Sequence, residues 1–314
     1  MSDHVLLRAD GVTRRFGAFT AVDDVSMLVR PGEIVGLLGA NGAGKTTVIR
    51  MLLGLLPVSL GSVELLGGPP DRQRRSRLGY VPQGLGLYGD LTVTENLEFR
   101  AQAWGLRPPE LPPALRPHAK VLVGELSLGL QRQLAFLAAF AHTPEVLVLD
   151  EPTSGVDALA RADLWDTIHA QAERGVGILV TTHYMQEAAQ CDRLLLMSRA
   201  RLVAEGSEAD IVGSTTAVAV HTADWAAAFA ALNAAGQPVM LAGRAIRVAD
   251  ADPVQLRAVL DGAGIPAELQ PVPATIEERM MMLSRAGGDE DGVVAGAVPG
   301  AGAGAGAGAG QGEG

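Results

Sequence analysis

Residues 33–50 read EIVGLLGANGAGKTTVIR, and that stretch decides the fold. EIVGLL is an apolar run of strand length, and TTVIRMLLGLL has its apolar residues at helical spacing as far as Pro57. Between them Gly39-Ala40-Asn41-Gly42-Ala43-Gly44-Lys45-Thr46 fits GxxxxGK[ST], with Thr47 directly after. Strand, glycine loop and helix in that order form a phosphate cradle. The glycines let backbone N–H groups turn inward, and the helix start adds the positive end of its dipole. The motif implies ATP as ligand: Lys45 reaches the β- and γ-phosphates and the Thr46 hydroxyl ligates Mg²⁺. Composition supports this reading. Among 25 basic residues the only lysines are Lys45 and Lys120, and one of them stands where a compact point charge suits better than a planar arginine fork.

About a hundred residues later, EVLVLDEP places Asp150 and Glu151 at the carboxyl end of a wholly apolar strand. Such a strand belongs to a parallel sheet buried on both faces, whose carboxyl edge is where ligands bind. Asp150 suits a second Mg²⁺ contact through water, and Glu151 suits polarising the attacking water. The competing reading is a solvated acidic pair opening a turn before Pro152.

The rest of the chain arranges itself around these motifs. Residues 1–30 alternate apolar and polar, which predicts two or three strands with a turn at Gly17. Further short strands are expected at 59–68 and 78–82, and helices at 94–104 and from Leu128 to about Ala141, with the proline-rich RPPELPPALRP between. ALARADLWDTIHAQAER reads as a helix, VGILVTT as a buried strand, MQEAAQC as helical, and DRLLLMS with RLVAEG as a hairpin. Composition shifts near Gly213, and 216–283 reads strand, helix, strand, strand, helix, strand, helix, a small βαββαβ sandwich with a closing helix. The Met280–Met282 run fits core or interface better than a metal site. The expected organisation is an α/β nucleotide-binding domain over 1–213, a small α+β domain over 214–285, and a disordered Gly/Ala-rich tail over 286–314.

A net charge of −10 argues against a nucleic-acid partner, and Arg72, Arg74, Arg75 and Arg77 read as a solvated face. The single cysteine, Cys191, excludes a disulfide framework and fits a reducing compartment. The first thirty residues lack an apolar signal core, and no stretch approaches the roughly 20 apolar residues of a membrane span. Any work at a membrane is expected to go through a partner.

Several further motifs, in order, make residues 5–210 resemble the ATP-binding-cassette (ABC) transporter ATPase subunit. The resemblance implies a P-loop NTPase fold: a mixed sheet with helices, an antiparallel β subdomain and a helical subdomain. Phe16 matches the aromatic that stacks on adenine, or is an ordinary core residue. Gln83 in YVPQ matches the glutamine that touches Mg²⁺ or the water and sits beside the membrane partner. Asp157 in SGVD matches the segment that crosses the dimer interface, and His183 in VTTHY matches the histidine that contacts the γ-phosphate.

The family's LSGGQ reads Leu126-Ser127-Leu128-Gly129-Leu130 here. Ser127 and Gly129 keep a hydroxyl and a close backbone approach at a helix start, the part that should meet ATP held by an opposite subunit. Leu128 and Leu130 replace a glycine and a glutamine, and the segment between Glu95 and Ser127 is shorter than is usual in the family. HYMQEAAQCDRLLLMSRARLVAEG and the C-terminal domain resemble ABC-2-type exporters, including drug- and antibiotic-resistance exporters and the lipid-exporting subfamily. The resemblance implies an integral-membrane permease partner, a second ATPase subunit in a homodimer, no nucleic acid, and a peripheral location on the cytoplasmic face of the cell membrane. The alternatives are a non-transport cassette ATPase and a regulatory one whose altered segment no longer supports turnover.

Overall fold

The computed structural model describes residues 4–243 and 245–286. The tail expected over 286–314 therefore lies outside the described residues, apart from Ala286 itself, the last residue of the closing helix.

The sequence opens with a long hairpin, β1 (Leu7–Phe16) and β2 (Phe19–Val29), turning at Gly17 and Ala18. With β4 (Leu60–Leu65) on the other side of β1 it makes a three-stranded antiparallel sheet, ordered β2-β1-β4. A six-stranded sheet carries the chemistry. Its members are β3 (Ile34–Gly39), β5 (Leu78–Val81), β6 (Val146–Asp150), β7 (Gly177–Thr182), β8 (Arg193–Ser198) and β9 (Arg201–Gly206). Their order is β5-β6-β7-β3-β8-β9, parallel except for the antiparallel hairpin strand β9. Every residue of β3, β6 and β7 is buried, which is why these segments read as continuous apolar runs rather than as alternation.

Between the two sheets lies α1 (Lys45–Leu52), whose Val48, Ile49, Met51 and Leu52 join one core with Leu7, Val22, Val35, Val146 and Leu195. The helix ends earlier than its periodicity predicts. It stops at Leu52, five residues before Pro57: Gly54 takes a left-handed φ of 65°, and its N–H closes the last turn onto the Met51 carbonyl. The short helix α2 (Arg72–Arg75) precedes β5.

A helical layer follows, built from α3 (Val93–Ala103) and α4 (Leu128–Phe140) joined by mostly irregular chain. It has its own small core of Val93, Leu97, Leu115, Val123, Leu126, Leu134 and Ala138. α5 (Ala158–Ala172) packs on the large sheet through Leu164, Trp165 and Ile168, in one cluster with Ala135, Phe136 and Ala139 of α4. Met185–Gln190, expected to be helical, forms a tighter 3-10 turn. The turn takes six residues of the connection between β7 and β8, and 3-10 geometry is usual for so short a piece.

After α6 (Glu208–Val212) the chain enters a second sheet of β10 (Thr216–His221), β11 (Val239–Ala242), β12 (Ala245–Ala249) and β13 (Glu268–Pro273), ordered β11-β12-β10-β13 and wholly antiparallel. α7 (Trp225–Ala234) and α8 (Pro253–Gly262) pack on it through Ala228, Leu232, Leu256 and Leu260. The closing helix α9 (Ile276–Ala286) joins both parts of the molecule. Ile276 packs with Leu38, Ala188, Leu194, Leu196 and Ile211 of the first part, while Glu278 accepts two hydrogen bonds from Arg247 of β12 at 2.6 and 3.0 Å. Met280 joins the same apolar cluster, in keeping with a packing role.

Candidate functional site

The sheet's strand order reverses at β3. The chain leaves it towards β5 on one side and returns to place β8 on the other, so the loop after β3 opens at a topological switch point. That loop is Gly39–Gly44. Gly44 stands just before α1 with φ 106°, and a Cβ there would lie 2.5 Å from the Ala21 carbonyl oxygen, so both backbone and space demand glycine. The result is a cavity of about 370 Å³ lined by Asn41, Gly42, Gly44, Lys45, Thr46 and Thr47, with Phe19, Ala21, Gln83 and Glu151 completing the wall.

Lys45 is buried, and its ammonium donates to the carbonyls of Gly39 (2.7 Å) and Ala40 (3.2 Å). Burial lowers its pKa from the ordinary lysine value, against the pull of the Glu151 and Asp150 carboxylates. Thr46 Oγ1 donates to Asp150 at 3.1 Å, and Thr181 Oγ1 donates to the same carboxylate at 2.6 Å. A hydroxyl and a carboxylate side by side next to a phosphate cradle are the hard oxygen donors that suit Mg²⁺, which takes few protein ligands and fills the rest with phosphate and water.

Glu151 is the focus of the arrangement. Its backbone takes a left-handed φ of 50°, a conformation costing a non-glycine residue on the order of 1 kcal/mol. The strain is held by the Glu151 N–H, which donates to both the Thr181 carbonyl (3.1 Å) and Thr181 Oγ1 (3.0 Å). The turn aims a carboxylate only 7% exposed at three polar groups. Gln83 Nε2 donates to it at 3.2 Å, His183 Nδ1 stands 3.3 Å away, and Lys45 Nζ 3.9 Å away. Residues from as far apart in sequence as Lys45 and His183 thus meet at one carboxylate.

Comparisons with known proteins identify the family. Residues 22–154 match the ABC transporter family. The "Nod factor export ATP-binding protein I" of Burkholderia lata is 38% identical over 267 residues, covering 80% of this chain and 88% of that protein. The chain belongs to the ABC transporter ATP-binding proteins. It carries the family's ATPase fold and is an ATP-hydrolysing enzyme of that family. The "Probable multidrug ABC transporter ATP-binding protein YbhF" of Escherichia coli (strain K12) is 41% identical over 218 residues; these cover 66% of this chain, which spans only 38% of that relative's length. A solved ATP-binding subunit of an ABC transporter superposes with a TM-score of 0.60 at 31% identity, over 66% of this chain and 91% of the other.

Not every expected residue of this ABC ATPase comes to the pocket. Gln83 does line it, but turns to Glu151 rather than to Thr46 and Asp150. Phe16 is absent from the cavity wall; its ring lies under the Arg14 guanidinium, 4.5 Å away, and the aromatic that does line the wall is its hairpin partner Phe19. Asp157 caps α5, accepting from Leu159 N at 3.0 Å and Ala160 N at 2.9 Å. Ser127 caps α4 by accepting from Leu130 N at 3.4 Å, and neither Ser127 nor Gly129 lines the cavity. Sequence reasoning missed Phe19 and Thr181. The first was hidden by a nearby aromatic. The second had a readable signal in two threonines closing an otherwise apolar buried strand.

Proposed function

We propose that this protein powers export through a separate integral-membrane permease, acting as one of two copies at the cytoplasmic face of the cell membrane. The observation that carries the reading is the convergence of Gln83, Lys45 and His183 on the buried Glu151 carboxylate at the rim of a phosphate cradle. The names of the relatives, which speak of multidrug and Nod factor export, supply the direction of transport.

Nucleotide enters the cradle with its phosphates against the N–H groups of Gly42 to Thr47. Lys45 exchanges the carbonyls of Gly39 and Ala40 for phosphate oxygens. Thr46 and Asp150, with Gln83 nearby, would hold Mg²⁺, which would supply charge neutralisation on those oxygens. Glu151 orients the attacking water and takes its proton, Gln83 fixes the carboxylate's direction, and His183 contacts the γ-phosphate. Ser127 and Gly129 of the second copy close over the nucleotide, and Asp157 lies at that interface. The division into a nucleotide-binding domain up to residue 213 and an accessory domain after it belongs to the same reading.

The permease docks where the large sheet meets the helical layer. A groove there of about 710 Å³ is lined by Arg72, Arg75, Tyr88, Phe99, Arg100 and Trp104, aromatic and basic groups suited to a partner segment with an apolar face and acidic ends. Among the described residues no helix is long and apolar enough to cross a membrane itself.

The test is ATP hydrolysis by the full chain, together with its capture from detergent-solubilised membranes. Mg²⁺-dependent turnover and a co-purifying integral-membrane protein are expected. Turnover without any membrane partner would favour a non-transport cassette. Nucleotide binding without turnover in any setting would favour a regulatory one.

A further inference from the structure

Glu187 is a carboxylate only 2% exposed, and it lies outside the nucleotide pocket on the 3-10 turn after the His183 loop. Its Oε1 accepts a hydrogen bond from Thr153 Oγ1 at 2.5 Å, while its Oε2 is buried without a hydrogen-bond partner. A half-satisfied buried carboxylate is a costly way to fill space, so packing alone does not explain it. The one cation beside it that the ion pairs record is Arg161 of α5, whose Nε lies 3.5 Å from Oε1.

The Arg161 guanidinium has a second contact. It lies 5.0 Å from the centre of the Tyr184 ring, and the Tyr184 ring lies 4.1 Å from that of His183, tilted by 36°. His183 Nδ1 in turn stands 3.3 Å from Glu151. The series Thr153, Glu187, Arg161, Tyr184, His183, Glu151 therefore ties together the turn after β6, the start of α5 and the loop after β7. Asp157, expected at the subunit interface, caps the same α5 four residues before Arg161.

We propose that Glu187 and Arg161 are positioning residues that hold the His183 ring against the catalytic carboxylate, so that movement at the α5 end reaches the γ-phosphate sensor. The proposal rests on His183 acting as the function above assigns. Glu187 anchors Arg161 from below, and Arg161 presses the Tyr184 ring onto His183 from the side. Neither touches nucleotide. Their loss therefore slows the chemical step and leaves ATP binding in place.

The experiment measures kcat and KM for ATP of the full chain in excess Mg²⁺ for Arg161→Ala, Arg161→Lys, Glu187→Gln, the double variant Arg161→Ala/Glu187→Gln, and His183→Ala. Arg161 is partly exposed, so its variants fold even where a change at Glu187 does not. Arg161→Ala and Glu187→Gln each lose about ten-fold in kcat, with KM within about two-fold, because the reacting groups are displaced rather than removed. The double variant is no slower than the slower single one, and Arg161→Lys recovers part of the rate by restoring the charge against Glu187. The proposal is overturned if Arg161→Ala keeps kcat within about two-fold, if kcat and KM move together, or if the two losses multiply. His183→Ala separates the layers. If it keeps full kcat, the functional reading of His183 fails; if it is slow while Arg161→Ala is not, only the positioning pair fails.

Discussion

The phosphate loop and the LSLGL segment are both short, glycine-containing turns leading into a helix, yet the fold treats them oppositely. Around Lys45 the chain finishes the job alone: Thr46, Asp150, Thr181, Glu151, Gln83 and His183 are all linked within one subunit. Around Ser127 it stops short. Ser127 and Leu128 face solvent, and the Ser127 hydroxyl spends itself on capping its own helix. The difference teaches where the chemistry is assembled. The first region holds its donors preorganised within the chain, and the second brings no partner of its own to the turn, which is why the proposed function has it act on nucleotide held by another copy.

Four substitutions would break or sharpen that contrast. The largest effect is expected for Lys45→Ala. Removing the single mobile cation of the cradle costs roughly 3 kcal/mol, about 100-fold in ATP affinity, measurable by calorimetric titration; affinity within a few-fold of the parent would contradict the phosphate-loop assignment. Ser127→Ala should lower kcat about ten-fold while leaving the single chain's ATP affinity unchanged, and the lost cap should cost about 1 kcal/mol of stability by denaturant melting. A fall in affinity equal to the fall in rate would mean that Ser127 serves its own subunit's nucleotide. The smallest effect separates the two aromatics. Phe19→Ala should weaken ATP binding roughly three- to five-fold through lost stacking worth about 1 kcal/mol, and Phe16→Ala less than that. The reverse order would return the adenine to Phe16.

Much of this was legible because local rules and tertiary demands coincide. Residues 33–50 must be strand, loop and helix to make a phosphate site, and they are. The seven elements after residue 216 follow the predicted order without exception, since each is bounded by a turn residue or a cap such as Asp224 or Asp252. What was not legible depends on register and on the opposite side of a turn. Asp150 sits across from Thr181 only because β6 and β7 pair in that register, and no motif announces it. Phe19 lines the cavity and its register partner Phe16 does not, a choice between two neighbouring aromatics that the motif pattern does not make. The helix after Lys45 stops at Leu52 because Gly54 bends left-handed, a break that apolar spacing alone ran through.

The central claim is that one chain holds half of a composite ATP site whose other half is Ser127 and Gly129 of a second copy. Glu151→Gln tests it most directly, since the amide keeps the shape of the pocket but cannot take a proton from water. Size-exclusion chromatography with light scattering, run with Mg²⁺ and ATP, should show the full-length variant as a dimer that reverts to monomer when ATP is removed. A variant that binds ATP and stays monomeric would contradict the claim.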